Sequence, residues 1–254
     1  MRPILTSSRD IALALGRTPF QPFAHPGFCP ICEKEVVFEV RDGWLRDNYL
    51  CSGCGSIPRE RAITQVFKTL FPSPGVLVAH ESSPAPRGFS PWLRARCPGL
   101  IQSHFWGEEH PGSVQKGFRN ENLEALTFAD ASIDVHVTQD VLEHVFDVDR
   151  VSRELHRTLR PGGAHIFTTP LVNKERPTFN RATMHEGRVE HLAPPVFHGN
   201  PISERGSLVT FDWGYDLVER IDGAAPFRTT MWIVDDLWQG IRAEYNEVLV
   251  SRKR

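Results

Sequence analysis

Four cysteines are the residues of this sequence whose spacing points most directly to chemistry. Cys29, Cys32, Cys51 and Cys54 form two C-x2-C pairs separated by 18 residues. Each pair can place two thiolates on one side of a tight turn, and four thiolates suit tetrahedral zinc. A redox-active pair, which needs a single C-x-x-C, and an iron–sulfur site are the alternatives. Because four sulfurs leave no open coordination position, the spacing favours a structural zinc ion over a catalytic one.

The elements that would position other polar groups are predicted most clearly in residues 126–170, which read as strand, loop, amphipathic helix and second strand. Apolar side chains recur at helical spacing, at Val148, Val151, Leu155 and Leu159. Pro161 prevents the helix from continuing into the second strand. Two strands joined through a helix are parallel, so their carboxyl ends open into one crevice, where we expect the functional site.

Two further strands are predicted before this unit, at residues 76–79 and 100–103. In a parallel sheet, the loop after the first strand is the usual place for a nucleotide-like cofactor. The glycine-rich phosphate-binding pattern is missing there, which leaves Glu81, Ser82, Ser83 and Gly88 as contacts. This composition argues against a dinucleotide, and less strongly against a cofactor without phosphates.

Length and composition limit the architecture and the class of partner. The 254 residues, 40% hydrophobic and 24% charged, allow one full core and a small appendage. A net charge of −2 gives no overall attraction to nucleic acid or to a membrane surface. No apolar run reaches the roughly 20 residues of a spanning helix, and no signal peptide is evident, so we expect a cytoplasmic protein.

The predicted domains are a linker at residues 1–27, a zinc-binding module at 28–56 and a larger domain at 57–254. A helix begins near Pro58 and would connect the module to the first strand. Arg59 and Arg61 are expected on a solvated face of this helix, with substrate contact as the alternative.

The central segment resembles the class I S-adenosylmethionine-dependent methyltransferases of the type 11 kind. LTFADASIDVHVTQDVLEHV and ELHRTLRPGGAHIFTTP look like the family's fourth strand, its LEH turn and its turn into the fifth strand. A four-cysteine module before the first strand also looks like a known subgroup. The resemblance implies a doubly wound, Rossmann-like α/β sheet of seven strands in the order 3-2-1-4-5-7-6, with S-adenosylmethionine as the cofactor.

The resemblance also implies where this cofactor lies. Glu81 stands where the family has the acidic residue beside the methionine moiety, and Asn122 and Leu123 stand at the adenine. Gln139 and Asp140 would line the methyl-transfer end. The remaining predicted contacts follow the first two strands: Ser82, Ser83 and Ser103, with Glu108 or Glu109 as alternatives for the ribose.

A hydroxyl acceptor must lose a proton during methyl transfer, and a histidine suits that task. His144, in the LEH turn, is the first candidate, although a histidine bonded to the backbone is an equally good interpretation; His136 is expected in the core. A cover for the acceptor is predicted at residues 171–209, a stretch without evident secondary structure. It contains His191, the second catalytic candidate, and two further histidines, His185 and His198. All three are alternative bases or ligands of a second metal, but their spacing matches no metal motif, and solvent or backbone partners are the preferred interpretation.

The leading hypothesis is methyl transfer to a hydroxyl, or to an amine, of a small molecule or carbohydrate. An RNA base methyltransferase that binds RNA through the zinc module is the second hypothesis, disfavoured because no aromatic and basic stripe is present. A third is a binding protein that lost catalysis together with its first-loop glycines. The sequence makes no prediction of the oligomeric state.

Overall fold

The computed structural model describes residues 3–107, 110–200 and 202–254. Glu108 and Glu109, the alternative ribose contacts, lie outside these residues. The chain divides into two compact units that are not continuous in sequence. The first unit comprises the residues up to Pro74, Ala85–Arg96 and Trp232–Val248, and the second comprises Gly75–Pro84, Cys97–Met231 and Leu249–Arg254. The domain boundaries drawn from the sequence stay predictions.

The first unit contains a small antiparallel sheet in which the second strand lies between the other two. Its strands are β1 (Phe23–Cys29), β2 (Lys34–Val40) and β3 (Tyr49–Cys51), and its helices are α1 (Ser8–Leu15), α2 (Leu45–Asn48), α3 (Pro58–Leu70) and α4 (Phe89–Arg96). Helix α3 begins with proline in its first turn, and the Glu60 carboxylate accepts a hydrogen bond from the Ile57 N–H at 3.1 Å. Proline has no N–H that needs a partner in the first turn, and the Glu60 carboxylate satisfies the N–H of Ile57. These two features fix where α3 begins.

Arg61 on α3 is fully buried, so its predicted position on a solvated helix face was wrong. Its guanidinium lies 4.8 Å from the centre of the Phe38 ring. The guanidinium donates hydrogen bonds to three backbone carbonyls of the first unit: those of Tyr49, Ser56 and Gly240. A planar group with five donors can satisfy several carbonyls at once, which a helical pattern alone does not reveal.

Replacement of Arg61 by methionine is expected to destabilise the protein by about 3 kcal/mol, because three buried carbonyls lose their donors. Urea denaturation of Arg61→Met and of the parent protein would measure this difference. Arg17→Met, at an exposed arginine of the same unit, should change the unfolding free energy by less than about 0.5 kcal/mol. Equal midpoints for all three proteins would show that Arg61 has no such role.

The other strands and helices belong to the second unit, apart from the terminal residues Trp232 and Val248. In chain order they are β4 (Val78–Ser82), β5 (Gly99–His104), β6 (Val114–Gln115), β7 (Phe118–Asn120), β8 (Ile133–Gln139), α5 (Val148–Thr158), β9 (Leu159–Thr168), β10 (Phe179–Asn180), β11 (Ala182–His185), β12 (Arg188–His191), β13 (Phe197–Asn200), β14 (Ser203–Leu208), β15 (Phe211–Asp212), α6 (Leu217–Ala224), β16 (Phe227–Trp232) and β17 (Val248–Lys253).

The large sheet has eight strands among the described residues, in the order β16-β17-β9-β8-β4-β5-β7-β6. Strands β4, β5, β7, β8 and β9 are parallel to their neighbours within this set, whereas β17 is antiparallel to β9 and β6 to β7. The short edge strand β6 is an addition; without it, the order corresponds to the predicted 3-2-1-4-5-7-6. The predicted α/β class with a large mixed sheet is confirmed.

The buried stripe of α5 packs into the hydrophobic core of the second unit. Val148, Val151 and Leu155 are buried in a core that also contains Trp213. The Asp147 side chain accepts the N–H of Arg150 at 2.8 Å and so begins the helix. Strand β4 extends further than predicted and ends at Ser82. The carboxyl ends of the parallel strands lie along one edge of the sheet, which we call its open edge.

The sequence had suggested that the segment at 171–209 lacks secondary structure, and this expectation was wrong. The segment folds into short antiparallel pairs, in which β11 pairs with β12, β13 with β14, and β10 with β15 just beyond the segment. Its function as an acceptor cover stays a prediction. No helix in the described part of the chain has the length and apolar character that a membrane crossing requires.

Candidate functional site

The four predicted zinc ligands lie together in the first unit. The Sγ atoms of Cys29 and Cys54 are 3.9 Å apart, and those of Cys32 and Cys51 are 3.7 Å apart. All four are free thiols, and their sulfurs lie within 4.8 Å of one another. Bonds of about 2.3 Å in a tetrahedral zinc site would separate the sulfurs by roughly 3.8 Å. The geometry is therefore compatible with the predicted zinc ion.

Backbone amides and one glycine shape this cysteine cluster. The N–H of Cys32 donates to the Cys29 sulfur at 3.4 Å, and the N–H of Gly53 donates to the Cys51 sulfur at 3.3 Å. A Cβ atom at Gly53 would lie 3.0 Å from the Cys32 sulfur. A larger residue would therefore crowd the sulfurs, whereas glycine lets the turn approach them closely.

The thiols of this cluster do not ionise independently. Hydrogen bonding with Cys29 raises the pKa of Cys51 well above its usual range, and the same bond lowers the pKa of Cys29. Burial raises the pKa of Cys32 to about 12. Because neighbouring thiolates repel one another, all four can be deprotonated together only when a cation balances them.

A second group of ligand-type side chains lies beyond the carboxyl end of β8, in the second unit. Glu143 and His144 occupy a single 3₁₀ turn, Leu142–His144, and His198 lies on β13. The Oε1 atom of Glu143 is 3.8 Å from His144 Nε2 and 3.7 Å from His198 Nδ1. The two imidazole rings are perpendicular, with centroids 5.1 Å apart. We call these three residues the Glu143 cluster.

Hydrogen bonds orient two members of the Glu143 cluster. His144 Nδ1 lies 2.8 Å from the carbonyl oxygen of Leu208, which can only accept, so Nδ1 carries the proton and Nε2 faces Glu143. Glu143 is buried, and its Oε2 accepts the Thr169 hydroxyl at 2.9 Å. Within the described part of the chain, its Oε1 has no hydrogen-bond partner. A buried carboxylate oxygen therefore points at two imidazole nitrogens.

Three of the predicted contacts at the first two strands, Glu81, Ser82 and Ser103, lie on the strands of the sheet themselves. Glu81 is buried, and its carboxylate accepts the side-chain amide of Gln102 at 2.7 Å. The Ser103 hydroxyl is buried and bonds to His80 Nε2 at 2.8 Å. Ser82 is also buried, and Ser83 has a left-handed backbone with a φ of 56°. The roles assigned to these four residues stay predictions.

The other predicted contacts lie nearer to the open edge. At the end of β8, Gln139 has a buried Oε1 without a hydrogen-bond partner among the described residues. Asp140 follows with a φ of 53°, and its carboxylate accepts the Thr168 hydroxyl at 3.1 Å. The side-chain oxygen of Asn122 accepts a backbone N–H two residues further on, at 2.9 Å, and Leu123 is buried in the core.

One of the two predicted catalytic histidines lies in the Glu143 cluster. It is joined there by a histidine that the sequence offered only as an alternative. His144 belongs to the Glu143 cluster, whereas His191 lies on the exposed strand β12. His198, an alternative in the sequence, completes the cluster. Glu143 received no role from the sequence, and its place beside His144 in the LEH turn was the one signal that pointed to it.

Comparison with known proteins concerns the central part of the chain. Residues 104–167 match the family model described as a methyltransferase domain. A stretch of 80 residues is 40% identical to a probable S-adenosylmethionine-dependent methyltransferase of Mycolicibacterium smegmatis, covering 32% of this chain and 27% of that protein. A protein of the same description from Mycobacterium tuberculosis is 39% identical over 77 residues, covering 30% and 24%. The chain thus matches about a quarter of the length of these relatives.

A solved structure of an S-adenosylmethionine-dependent methyltransferase from Mesorhizobium loti also aligns with this chain. The identity is 17% and the TM-score 0.49, and the alignment covers 76% of this chain and 98% of that one. The segment matched by the family model contains β8, the turn with Glu143 and His144, and α5.

Proposed function

We propose, from the premise that the chain carries a methyltransferase domain of the S-adenosylmethionine-dependent family, that it transfers a methyl group to a small molecule or carbohydrate. The acceptor atom is a hydroxyl oxygen or an amine nitrogen, and it binds at the carboxyl end of β8. The open edge of a parallel sheet is where ligands of such folds bind. Gln139 is the last residue of β8, Asp140 follows it directly, and Glu143 and His144 lie in the next turn.

The side-chain oxygen of Gln139 is the observation that supports the cofactor. A buried acceptor left without a donor costs about 1–3 kcal/mol, so such an atom at the open edge suits a ligand with an N–H group. S-adenosylmethionine has an ammonium group and an adenine amine, and when bound it supplies an electrophilic methyl group. Gln139 and Asp140 would line its methyl-transfer end, and Asn122 and Leu123 its adenine.

The chain's own part in the reaction is alignment. In-line transfer from a sulfonium depends mainly on holding the acceptor atom opposite the leaving group, so positioning accounts for much of the rate. The covering segment at 171–209 contributes His198 to the Glu143 cluster beside this edge. That contribution supports its proposed role in holding the acceptor.

Isothermal titration with S-adenosylhomocysteine tests the cofactor site. We expect the parent protein to bind it and Gln139→Leu to bind about tenfold more weakly, because one hydrogen bond is lost. Gln115→Leu, at a half-buried glutamine on the edge strand β6, is the matched control and should bind like the parent. A folded parent protein that releases no heat would reject the proposed function, and equal affinity of the two variants would reject the role of Gln139.

A further inference from the structure

The Glu143 cluster has the composition and the geometry of a metal site. Its three ligand atoms, one carboxylate oxygen and two imidazole nitrogens, all lie within 4.8 Å of one another. We propose that Glu143, His144 and His198 bind one divalent transition-metal ion, and that this ion holds the hydroxyl oxygen of the methyl acceptor. The second half of this proposal rests on the proposed function, whereas the first half stands without it.

The separations within the cluster fit ligands of an ion better than partners in hydrogen bonds. The Oε1 atom of Glu143 lies 3.8 Å from His144 Nε2 and 3.7 Å from His198 Nδ1. Hydrogen bonds between nitrogen and oxygen end near about 3.2 Å. Two ligand atoms bound at about 2.1 Å to one ion lie roughly 3.0–3.4 Å apart. Movements of a few tenths of an ångström would therefore bring the Glu143 oxygen and either imidazole nitrogen to the separation of two ligands of one ion, and all three ligand atoms already lie within 4.8 Å of one another.

The burial of Glu143 gives an independent reason for a cation at this place. The residue is 1% exposed, and its Oε1 has no hydrogen-bond partner in the part of the chain that the structure describes. A buried carboxylate is costly unless it is paired or coordinates a metal. The other oxygen, Oε2, is bonded to Thr169, so the carboxylate is held with Oε1 directed at the two imidazoles.

His144 is arranged as metal-binding histidines usually are. The Nδ1–H of His144 donates to the Leu208 carbonyl, which leaves Nε2 as a lone-pair donor toward the cluster. Metal-binding histidines almost always have such an outer partner, which fixes the ring and its tautomer. The side chain of His198 is 44% exposed, so one side of the cluster faces solvent and can admit a ligand.

Two imidazoles and one carboxylate favour Mn²⁺, Fe²⁺, Co²⁺ or Zn²⁺ and leave open coordination positions, unlike the four sulfurs of the cysteine cluster. An acceptor oxygen bound at an open position becomes more acidic, as metal-bound water does. Its proton passes to water, and the oxygen keeps lone pairs with which to bond the methyl carbon. The electron pair of the broken carbon–sulfur bond stays on sulfur.

Coordination to the ion distinguishes between hydroxyl and amine acceptors. An amine nitrogen has one lone pair, so binding to the ion would block its attack, whereas a hydroxyl oxygen retains nucleophilic electrons. The proposal therefore selects a hydroxyl acceptor. It also makes His144 a metal ligand through Nε2, in place of its predicted role as the proton acceptor.

Titration with Mn²⁺, followed by electron paramagnetic resonance, tests the site. Mn²⁺ prefers nitrogen and oxygen ligands, so the four cysteines should not compete for it. We expect one bound Mn²⁺ per chain, and at least tenfold weaker binding in Glu143→Gln and in His198→Ala. His110→Ala, at an exposed histidine of the same unit, is the control and should bind like the parent. Thermal unfolding of each variant before Mn²⁺ is added establishes that the fold is retained.

Failure to bind Mn²⁺, or equal binding by the parent and both cluster variants, would overturn the metal site. Titration of the same samples with S-adenosylhomocysteine separates the two proposals. Cofactor binding without Mn²⁺ binding rejects the metal site and leaves the proposed function in place. Mn²⁺ binding without cofactor binding rejects the proposed function and leaves the metal site in place.

Water proton relaxation on the Mn²⁺-loaded protein tests the acceptor class, because it reports water bound to the ion. Catechol, a hydroxyl probe, is expected to displace this water and lower the relaxation rate. A rate that catechol leaves unchanged would overturn the proposed binding of a hydroxyl acceptor to the ion.

Discussion

Removal of metal from the cysteine cluster is expected to unfold the first unit. The cluster joins the turn after β1 to the turn after β3, and this sheet has three short strands. Structural zinc in small modules contributes apparent binding energies on the order of 10 kcal/mol, which a small core does not replace. Cys54→Ser, or treatment with a strong chelator, should therefore abolish bound zinc and lower the thermal unfolding temperature sharply.

Cys97→Ser is the matched control for this experiment. The Cys97 thiol is buried and lies 3.5 Å from the Leu77 carbonyl, so it belongs to the second unit and not to the cluster. This variant should retain about one zinc ion per chain by elemental analysis. A folded parent protein that contains iron, or no metal, would contradict the zinc assignment.

Mild acid is expected to destabilise the large sheet through three fully buried histidines. His80, His136 and His165 lie on the neighbouring strands β4, β8 and β9. His80 and His136 bond to each other through Nδ1 at 2.8 Å, and His165 bonds to the Thr138 hydroxyl at 3.0 Å. Burial lowers the pKa of His80 and of His165 to about 3 and the pKa of His136 well below 6.5.

The direction of this change in stability with pH follows from proton binding. These histidines are neutral in the folded protein, whereas in the unfolded chain they take up protons below about pH 6.5. Stability is therefore complete above pH 6.5 and is lost as the pH falls from about 6.5 toward about 3. Each histidine contributes a slope of about 1.4 kcal/mol per pH unit, so three contribute about 4 kcal/mol per unit.

Urea denaturation between about pH 7.5 and about pH 5.5 measures this slope. His165→Asn should reduce it by about a third, because one of the three protons is no longer taken up on unfolding. His110→Ala should leave the slope unchanged, since His110 is exposed. A parent protein equally stable at both pH values would contradict the prediction.

Local sequence patterns were sufficient to predict the structure wherever one element, or two adjacent elements, determine it. The apolar spacing from Val148 to Leu155 fixes the buried face of α5 because helical geometry repeats along a single segment. Two C-x2-C pairs determine that their thiols share a site, because each turn already places two sulfurs on one side. The resemblance of 126–170 to methyltransferases likewise rests on contiguous residues, and the matches to known proteins confirmed it.

Contacts between segments that are distant along the chain could not be predicted from the sequence. Arg61 reads as one charge on a helix face, and its burial depends on carbonyls from Tyr49 and Gly240, which the fold brings to it. Glu81 follows a predicted strand, but β4 continues past it, so its carboxylate bonds to Gln102 on β5. Neither partner is encoded by spacing along the chain, because strand pairing and packing select it.

The Glu143 cluster was determined partly by local sequence and partly by tertiary packing. The sequence by itself placed Glu143 and His144 side by side in a turn after β8, because strand, turn and helix follow one another there. The third member, His198, comes from β13, in a segment whose histidine spacing matches no metal motif. Only the tertiary structure decided that His198, and not His191, faces Glu143, because the pairing of β13 with β14 sets where that side chain lies.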